Sequence, residues 1–157
     1  MPRYENWSSE RAADIIRRHA DRPGATLPIL HALQEAFGHL PEEAVPLVAH
    51  ALNLSRAEVH GVVTFYHDFR RTPPGRHVLK LCRAEACQAM GSDDLAARAE
   101  RRLGVKLGAT TPDGRVTVEA IYCLGLCACA PSAMLDGEVL GRLDAARLDT
   151  LLTEVQR

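Results

Sequence analysis

Apolar residues in the first seventy positions recur three or four residues apart, the spacing of one helix face. Ser8 or Ser9 can cap a first helix, because a serine hydroxyl accepts a hydrogen bond from a first-turn amide. Thr26 can cap a second helix, and Gly38 is a natural stop for it. We therefore predict two amphipathic helices, whose apolar faces consist of Ala12, Ile15, Ile16, Ala20, Ile29, Leu30, Leu33 and Phe37.

Two more helices are predicted before residue 70. Pro41 starts the third helix, and Pro46 inside it should remove one backbone hydrogen bond and bend the helix. The fourth helix opens at Ser55, which can form a capping box with Glu58, and its apolar face runs to Tyr66. The four helices together predict a small N-terminal helical bundle.

The hydrophobic period changes after the turn-rich segment 72–76 (TPPGR), which marks a domain boundary. Apolar and polar residues then alternate, as in half-buried strands, and helical spacing returns twice. The predicted elements are a strand over 76–82, a helix over 93–103, a turn at Asp113-Gly114, a strand over 115–122, a tight hairpin over 132–136 and 138–140 that turns at Asp136-Gly137, and a helix over 144–155.

These elements predict an α+β protein with two domains. Residues 1–75 form the helical bundle, and residues 76–157 form a small α/β sandwich. The order of elements in the second domain is β-α-β-β-α.

Charge and composition favour a globular protein without nucleic-acid or membrane-surface partners. The 157 residues carry a formal net charge of −1, whereas binding to nucleic acid or to anionic lipid needs a positive excess. The N-terminal residues are polar, without the apolar core of a signal peptide. The longest uncharged stretch, 120–135, is shorter than the roughly 20 residues of a membrane span. We therefore expect a cytoplasmic protein without a membrane span.

All five cysteines lie in the second half of the chain. In a reducing compartment, clustered cysteines more often mean metal or redox chemistry than structural disulfides. Four of them, Cys82, Cys87, Cys123 and Cys127, form the pattern C-x4-C, then 35 residues, then C-x3-C. Each pair follows a predicted strand, so two strand-end loops of one sheet can bring four thiolates to one point. This arrangement suits a [2Fe–2S] cluster, which is held by four thiolates.

Small residues around the four cysteines would let backbone N–H groups approach the sulfurs. The flanking small residues are Ala84, Ala86, Gly91, Gly125, Ala128 and Ala130.

The cysteine pattern has three rival interpretations. A structural zinc site accepts similar cysteine spacing. A dithiol redox protein requires a Cys-x-x-Cys motif, which is absent. Free buried cysteines pack as small apolar residues.

Other motifs suggest no second chemistry. Residues 64–69 (TFYHDF) are rich in aromatic side chains, which pack in a core or contact a partner. No Gly-x-Gly-x-x-Gly or phosphate-loop motif is present, so no nucleotide or flavin site is visible in the sequence. None of the seven histidines has a recognised metal-ligand spacing.

Four helices, a Thr-Phe-Tyr element and paired cysteines in an α/β domain resemble the 24-kDa-type subunit of respiratory complex I, a thioredoxin-like [2Fe–2S] ferredoxin. The run 123–127 (CLGLC), followed by Ala130-Pro131, carries most of this resemblance. Within the family, residues 63–70 (VTFYHDFR) and 81–91 (LCRAEACQAMG) most resemble the gamma subunit of cytosolic NAD-dependent formate dehydrogenase.

The resemblance implies that Cys82, Cys87, Cys123 and Cys127 bind one [2Fe–2S] cluster per chain. It also implies a non-catalytic electron-transfer subunit whose helical half docks on the FMN- and NAD-binding subunit of a larger complex. Molybdenum cofactor and further iron–sulfur clusters would belong to other subunits, where formate is oxidised. An equivalent subunit of an NADH:quinone oxidoreductase or an NAD-linked hydrogenase is the first alternative, and a zinc-stabilised assembly module is the second. Cys129 is a fifth cysteine, at a position where the family more often has another residue.

Overall fold

The computed structural model describes residues 4–156, so the first residues of the polar N-terminal segment lie outside it. The chain divides into two compact units, Met1–Pro73 and Pro74–Arg157. Across the described residues the fold is mixed α+β, with seven α-helices and one five-stranded sheet. No helix in this part of the chain is long and apolar enough to cross a bilayer.

The first unit contains four helices around one apolar core. The helices are α1 (Ser9–His19), α2 (Thr26–Phe37), α3 (Ala44–Leu52) and α4 (Arg56–Phe65). Each helix contributes buried apolar side chains to this core. Burial of one such aliphatic side chain stabilises a fold by about 1.5–3 kcal/mol. The core includes Ala12, Ile16, Ile29, Leu30, Leu33, Leu40, Val48, Val59 and Phe69.

Three of the predicted helix ends are confirmed. The Ser8 side chain caps α1 by accepting a hydrogen bond from the Arg11 amide. Gly38 ends α2 in a left-handed conformation. Ser55 and Glu58 form the predicted capping box, in which each side chain accepts from the other residue's backbone N–H. The starts of α1 and α4 are fixed by side chains within three residues of them, and the end of α2 is fixed by the backbone conformation of Gly38.

Four details of the predicted helices are wrong. Thr26 lies inside the first turn of α2, because the preceding Ala25 already has helical dihedral angles. Residues 41–43 form a turn, so α3 begins at Ala44 rather than Pro41. Pro46 therefore falls in the first turn, where its missing N–H has no intrahelical partner to lose. Tyr66 has extended dihedral angles and ends α4 instead of continuing it.

The second unit is built on a sheet with strand order β2-β3-β1-β4-β5. Strands β1 and β3 are parallel, and the other neighbours are antiparallel. In chain order the elements are β1 (His77–Cys82), α5 (Glu85–Ala89), α6 (Ser92–Leu103), β2 (Ala109–Thr110), β3 (Val116–Ile121), a 3₁₀ turn (Cys127–Cys129), β4 (Ala133–Leu135), β5 (Glu138–Leu140) and α7 (Ala145–Val155).

The predicted strands, hairpin and long helices of this unit are confirmed to within one residue at either end. Asp136 and Gly137 form the two-residue turn between β4 and β5, with φ of 53° and 94°. Positive φ at both positions defines the turn that matches strand twist, and glycine adopts it without strain. Helix α5 and strand β2 were not predicted, since five and two residues are too short to show a period.

The register of β1 and β3 brings the chain segments that follow these two strands next to each other. Cys82, the last residue of β1, lies opposite Ile121, the last residue of β3. Because parallel strands end at the same edge of a sheet, the segments after Cys82 and Ile121 leave the sheet side by side. A second apolar core holds this edge in place; it includes Leu79, Leu81, Ala99, Val116, Val118, Ala133, Leu148 and Leu152.

Candidate metal centre

The two strand-end segments carry the four paired cysteines, as predicted. Cys82 ends β1 and Cys87 lies in α5, while Cys123 follows β3 by two residues and Cys127 begins the 3₁₀ turn. None of them forms a disulfide. The Cys87 side chain helps to lower the pKa of Cys82, and Cys123, Cys87 and Cys82 raise the pKa of Cys127. All four thiols therefore share one electrostatic environment.

The exposed pair already has the separation that a metal ion requires. The sulfurs of Cys123 and Cys127 lie 3.7 Å apart. Two sulfurs on one tetrahedral ion, with metal–sulfur bonds of about 2.3 Å, are separated by about 3.8 Å. The two side chains thus lie at the spacing of two ligands to one ion.

The thiols are arranged as two pairs. Within residues 4–156, no three Cys, His, Asp or Glu side chains gather as a site for a single metal ion. The close contacts are instead Cys82 with Cys87, and Cys123 with Cys127. A [2Fe–2S] cluster takes two terminal sulfurs on each of two irons, so a donor set of two thiol pairs fits this cofactor.

The two pairs differ in exposure, and the pKa values of Cys82 and Cys127 are shifted in opposite directions. Cys82 and Cys87 are each 2% exposed, whereas Cys123 and Cys127 lie at the surface. Burial raises the pKa of Cys82, but hydrogen bonds from the Ala84 backbone N–H, the Cys87 side chain and other donors outweigh it, so the pKa falls below its usual value. The hydrogen bond with Cys123 and the negative charge there raise the pKa of Cys127.

The loop after β3 directs a backbone N–H toward the Cys123 sulfur. Cys123 has φ of 82°, a conformation that costs a non-glycine residue roughly 1–2 kcal/mol. Gly125 has φ of 77°, which glycine adopts freely, and its N–H donates to the Cys123 sulfur over 3.3 Å. The expectation that small residues let amides reach the sulfurs is confirmed for Ala84 and Gly125.

Cys129 lies in the same 3₁₀ turn as Cys127 and is half-buried. Its N–H donates to the Leu126 carbonyl over 2.8 Å, and its own carbonyl accepts from the Arg142 N–H over 2.6 Å. Both bonds are made by backbone, so the position of residue 129 does not depend on its thiol.

Two residues beside the cysteines were not predicted from the sequence. The Ser132 hydroxyl lies 3.5 Å from the Cys87 sulfur, and Gly141 packs against Cys129. A serine just before a strand and a glycine just after one are common features of any chain. No local signal distinguishes these two residues, because their partners lie elsewhere in the sequence.

Paired free thiols at one edge of this sheet define a protein that binds a metal cluster through cysteine. The chain belongs to the thioredoxin-like [2Fe–2S] ferredoxin family, whose model matches residues 12–156. It carries one [2Fe–2S] cluster, and the chemistry of the donor set described above fits that group.

Relatives of similar length are subunits of oxidoreductases. An NADH-quinone oxidoreductase subunit of Rhizobium meliloti (strain 1021) is 42% identical over 135 residues, which cover 86% of this chain and 80% of that protein. The NADP-reducing hydrogenase subunit HndA of Solidesulfovibrio fructosivorans is 33% identical, covering 89% of this chain and 82% of that protein. An NADH-quinone oxidoreductase subunit of Escherichia coli (strain K12) is 33% identical, with coverage of 95% and 91%.

A solved structure shares the fold over most of the chain. The NAD+-reducing [NiFe]-hydrogenase in its air-oxidised state matches with a TM-score of 0.74 and 30% sequence identity. The match covers 90% of this chain but only 24% of the hydrogenase chain. This protein therefore corresponds to about a quarter of that longer polypeptide.

Proposed function

We propose that this protein is an electron-transfer subunit of an NAD-linked oxidoreductase complex, in which Cys82, Cys87, Cys123 and Cys127 hold the cluster. The observation that carries the proposal is the sulfur–sulfur distance of 3.7 Å between Cys123 and Cys127, together with a second thiol pair at the end of the adjacent strand. When bound, a [2Fe–2S] cluster accepts and releases one electron at a time.

The residues of the chain have three tasks at this site. The four cysteine thiols would lose their protons and hold the irons as thiolates. The N–H groups of Ala84 and Gly125 donate to sulfur and offset part of its negative charge. Burial of Cys82 and Cys87 excludes water from one side of the site, while the exposed Cys123 and Cys127 leave the other side open to a redox partner.

An NADH:quinone oxidoreductase or an NAD-linked hydrogenase is the complex that the relatives support best, because the matching proteins bear those names. Formate dehydrogenase rests on the two stretches 63–70 and 81–91 alone and stays a prediction. In each case, FMN and the NAD site would belong to a neighbouring subunit. A molybdenum subunit would be present only in the formate dehydrogenase.

The four helices of the first unit form, in this proposal, a bundle that docks on the flavin- and NAD-binding subunit. Within the aromatic segment 64–69, one ring packs in the core and two rings are available for contact with a partner. Phe69 is buried in the first core, whereas Phe65 and Tyr66 are 72% and 43% exposed. Their rings lie 5.1 Å apart, edge to face. Exposed aromatic pairs of this kind are typical anchors of protein interfaces.

Purified full-length protein tests the cofactor and its ligands. Iron and acid-labile sulfide should each be present at two per chain, and a paramagnetic signal should appear only after reduction. A zinc–thiolate module would be colourless and would contain zinc without iron. That result would overturn the proposal.

Isolation of the native complex tests the choice among oxidoreductases. The tagged chain is purified with its partners, and NAD reduction or NADH oxidation is assayed with quinone, hydrogen and formate in turn. Activity with quinone or hydrogen and no molybdenum supports the proposed assignment. Formate-dependent NAD reduction with stoichiometric molybdenum would replace it by the formate dehydrogenase assignment.

A further inference from the structure

Ser132 places a buried hydroxyl beside a sulfur of the inner cysteine pair. The residue is 2% exposed and directly precedes β4. Its Oγ lies 3.5 Å from the Cys87 sulfur. Its carbonyl oxygen accepts from the Cys82 N–H over 3.0 Å. The backbone bond to Cys82 therefore holds Ser132 in place, with its hydroxyl beside the Cys87 sulfur.

Metal binding determines the direction of this hydrogen bond. A free thiol can donate to the hydroxyl or accept from it, but a sulfur that binds iron is a thiolate without a proton. The hydroxyl then holds the only hydrogen in the Ser132–Cys87 contact and must be its donor. A hydrogen bond to an ionised acceptor is the stronger kind.

Such a donor acts more strongly on the form of the site with more negative charge. An added electron raises the charge that the cysteine sulfurs share, so a donor at sulfur favours the state that has accepted it. The effect is larger at a buried sulfur, because no water competes there. The exposed pair, Cys123 and Cys127, has solvent as an additional source of donors.

We propose that Ser132 is a positioning residue that raises the reduction potential of the cluster through its hydrogen bond to the Cys87 sulfur. The inference rests on the proposed ligand set and goes beyond it, since Ser132 binds no iron. The hydroxyl keeps its proton in both oxidation states and acts only on the sulfur.

The test compares the reduction potential of full-length variants loaded with iron and sulfide. S132A removes the hydroxyl and is expected to retain two irons per chain with a lower midpoint potential. S132T keeps the hydroxyl and should lie near the unsubstituted protein, whereas S132V has nearly the same shape as S132T without the hydroxyl and should lie near S132A. The matched control is S92A, because Ser92 is equally buried but its hydroxyl has no hydrogen-bond partner among the described residues.

The outcomes separate this inference from the proposed function. Equal potentials in S132A, S132V and the unsubstituted protein overturn the role of the hydroxyl. If S132A loses the cluster but S132T keeps it, the need for the hydroxyl at the sulfur is supported; if both lose it, the role lies in shape and the proposal fails. The proposed function fails separately, when the unsubstituted protein binds no iron or when C87A retains a full cluster.

Discussion

Gly141 leaves no room for a side chain against Cys129. A methyl group at Gly141 would lie 2.8 Å from the Cys129 Cβ and 3.1 Å from its carbonyl oxygen. The next residue, Arg142, binds that same carbonyl through its N–H. The segment that follows β5 therefore packs tightly against the 3₁₀ turn that carries Cys127.

G141A should displace this turn and reduce the iron content of the full-length protein or alter its absorption spectrum. Because the clash is with the Cys129 Cβ, the double variant C129G/G141A should recover both properties, whereas C129A/G141A should not. G61A is the matched control, since a Cβ at Gly61 meets no atom within 4 Å. Normal iron content and an unchanged spectrum in G141A would contradict the prediction.

Cys129 should not be required for the cluster. A [2Fe–2S] cluster has four terminal positions, which the two described pairs would fill in the proposed ligand set. C129A should therefore keep two irons per chain, while C123A should lose them. C127A should retain a fraction, because Cys129 lies in the same turn, and C127A/C129A should abolish that remainder. Iron analysis and the reduced-state spectrum of each variant decide the matter. An empty site in C129A with a full site in C127A would make Cys129 the fourth ligand.

Local signals explain which features the sequence predicted correctly. The capping box at Ser55 and the Asp136-Gly137 turn are each specified by residues within three positions, so the order of residues is enough to recognise them. The paired cysteines were predicted to meet because two strands of one sheet end together. The register of Cys82 with Ile121 confirms that the strands end together, and the binding of one cluster by all four thiols stays a prediction.

Contacts between distant residues explain what the sequence did not predict. The hydroxyl of Ser132 meets a sulfur 45 positions away, and Gly141 meets a residue twelve positions before it. The error at Pro46 has a related cause, because the effect of a proline depends on where its helix begins. That point was set by the turn over 41–43 rather than by a capping side chain.

Substitution of the exposed aromatic pair should weaken assembly without unfolding the protein. F65A/Y66A removes two rings that are 72% and 43% exposed. The fold should lose little stability, while copurification with the flavin- and NAD-binding subunit falls sharply. Coexpression of the two subunits and measurement of their ratio tests this. V139A is the control for loss of an exposed apolar side chain elsewhere. Full copurification of F65A/Y66A would refute the docking role of the pair.

Gln34 should stabilise the segment that follows α4. Its side-chain amide donates to the Asp68 carbonyl over 2.8 Å and accepts from the Arg70 N–H over 2.6 Å, and the residue is largely buried. Q34A leaves backbone groups without these bonds and should lower the free energy of unfolding by about 1–3 kcal/mol. Urea denaturation measures the changes, with the exposed Gln88 as Q88A for comparison. Equal stability of Q34A and Q88A would refute the prediction.

Asp149 should make the contact between α6 and α7 sensitive to acid. Arg98 forms two hydrogen bonds with this carboxylate, at 2.8 and 2.5 Å. These bonds, then the charges of Arg98 and Arg102, hold the pKa of Asp149 below its ordinary value, which is about 3.9. A lowered pKa means that the stabilisation is fully present above the unfolded value and is lost as the pH falls through the folded value.

D149N should therefore be less stable than the unsubstituted protein at neutral pH, and the difference should shrink as the pH falls below about 4. Thermal unfolding across that range measures it. D21N, an exposed aspartate in the loop after α1, serves as the control. A difference between D149N and the unsubstituted protein that stays constant with pH would contradict the assigned contact.

The parallel pairing of β1 with β3 also sets the order in which sheet folding and iron binding occur. Cys87 and Cys123 are separated by 35 residues, and the ends of the two strands meet only after the intervening chain has crossed over and paired. Closing such a non-local contact is a late and slow step compared with forming a helix. With the proposed ligand set, iron would find all four sulfurs only in a chain that has already folded its sheet. Once bound, it holds together strands that are distant in sequence, so the metal should slow the unfolding of this sheet.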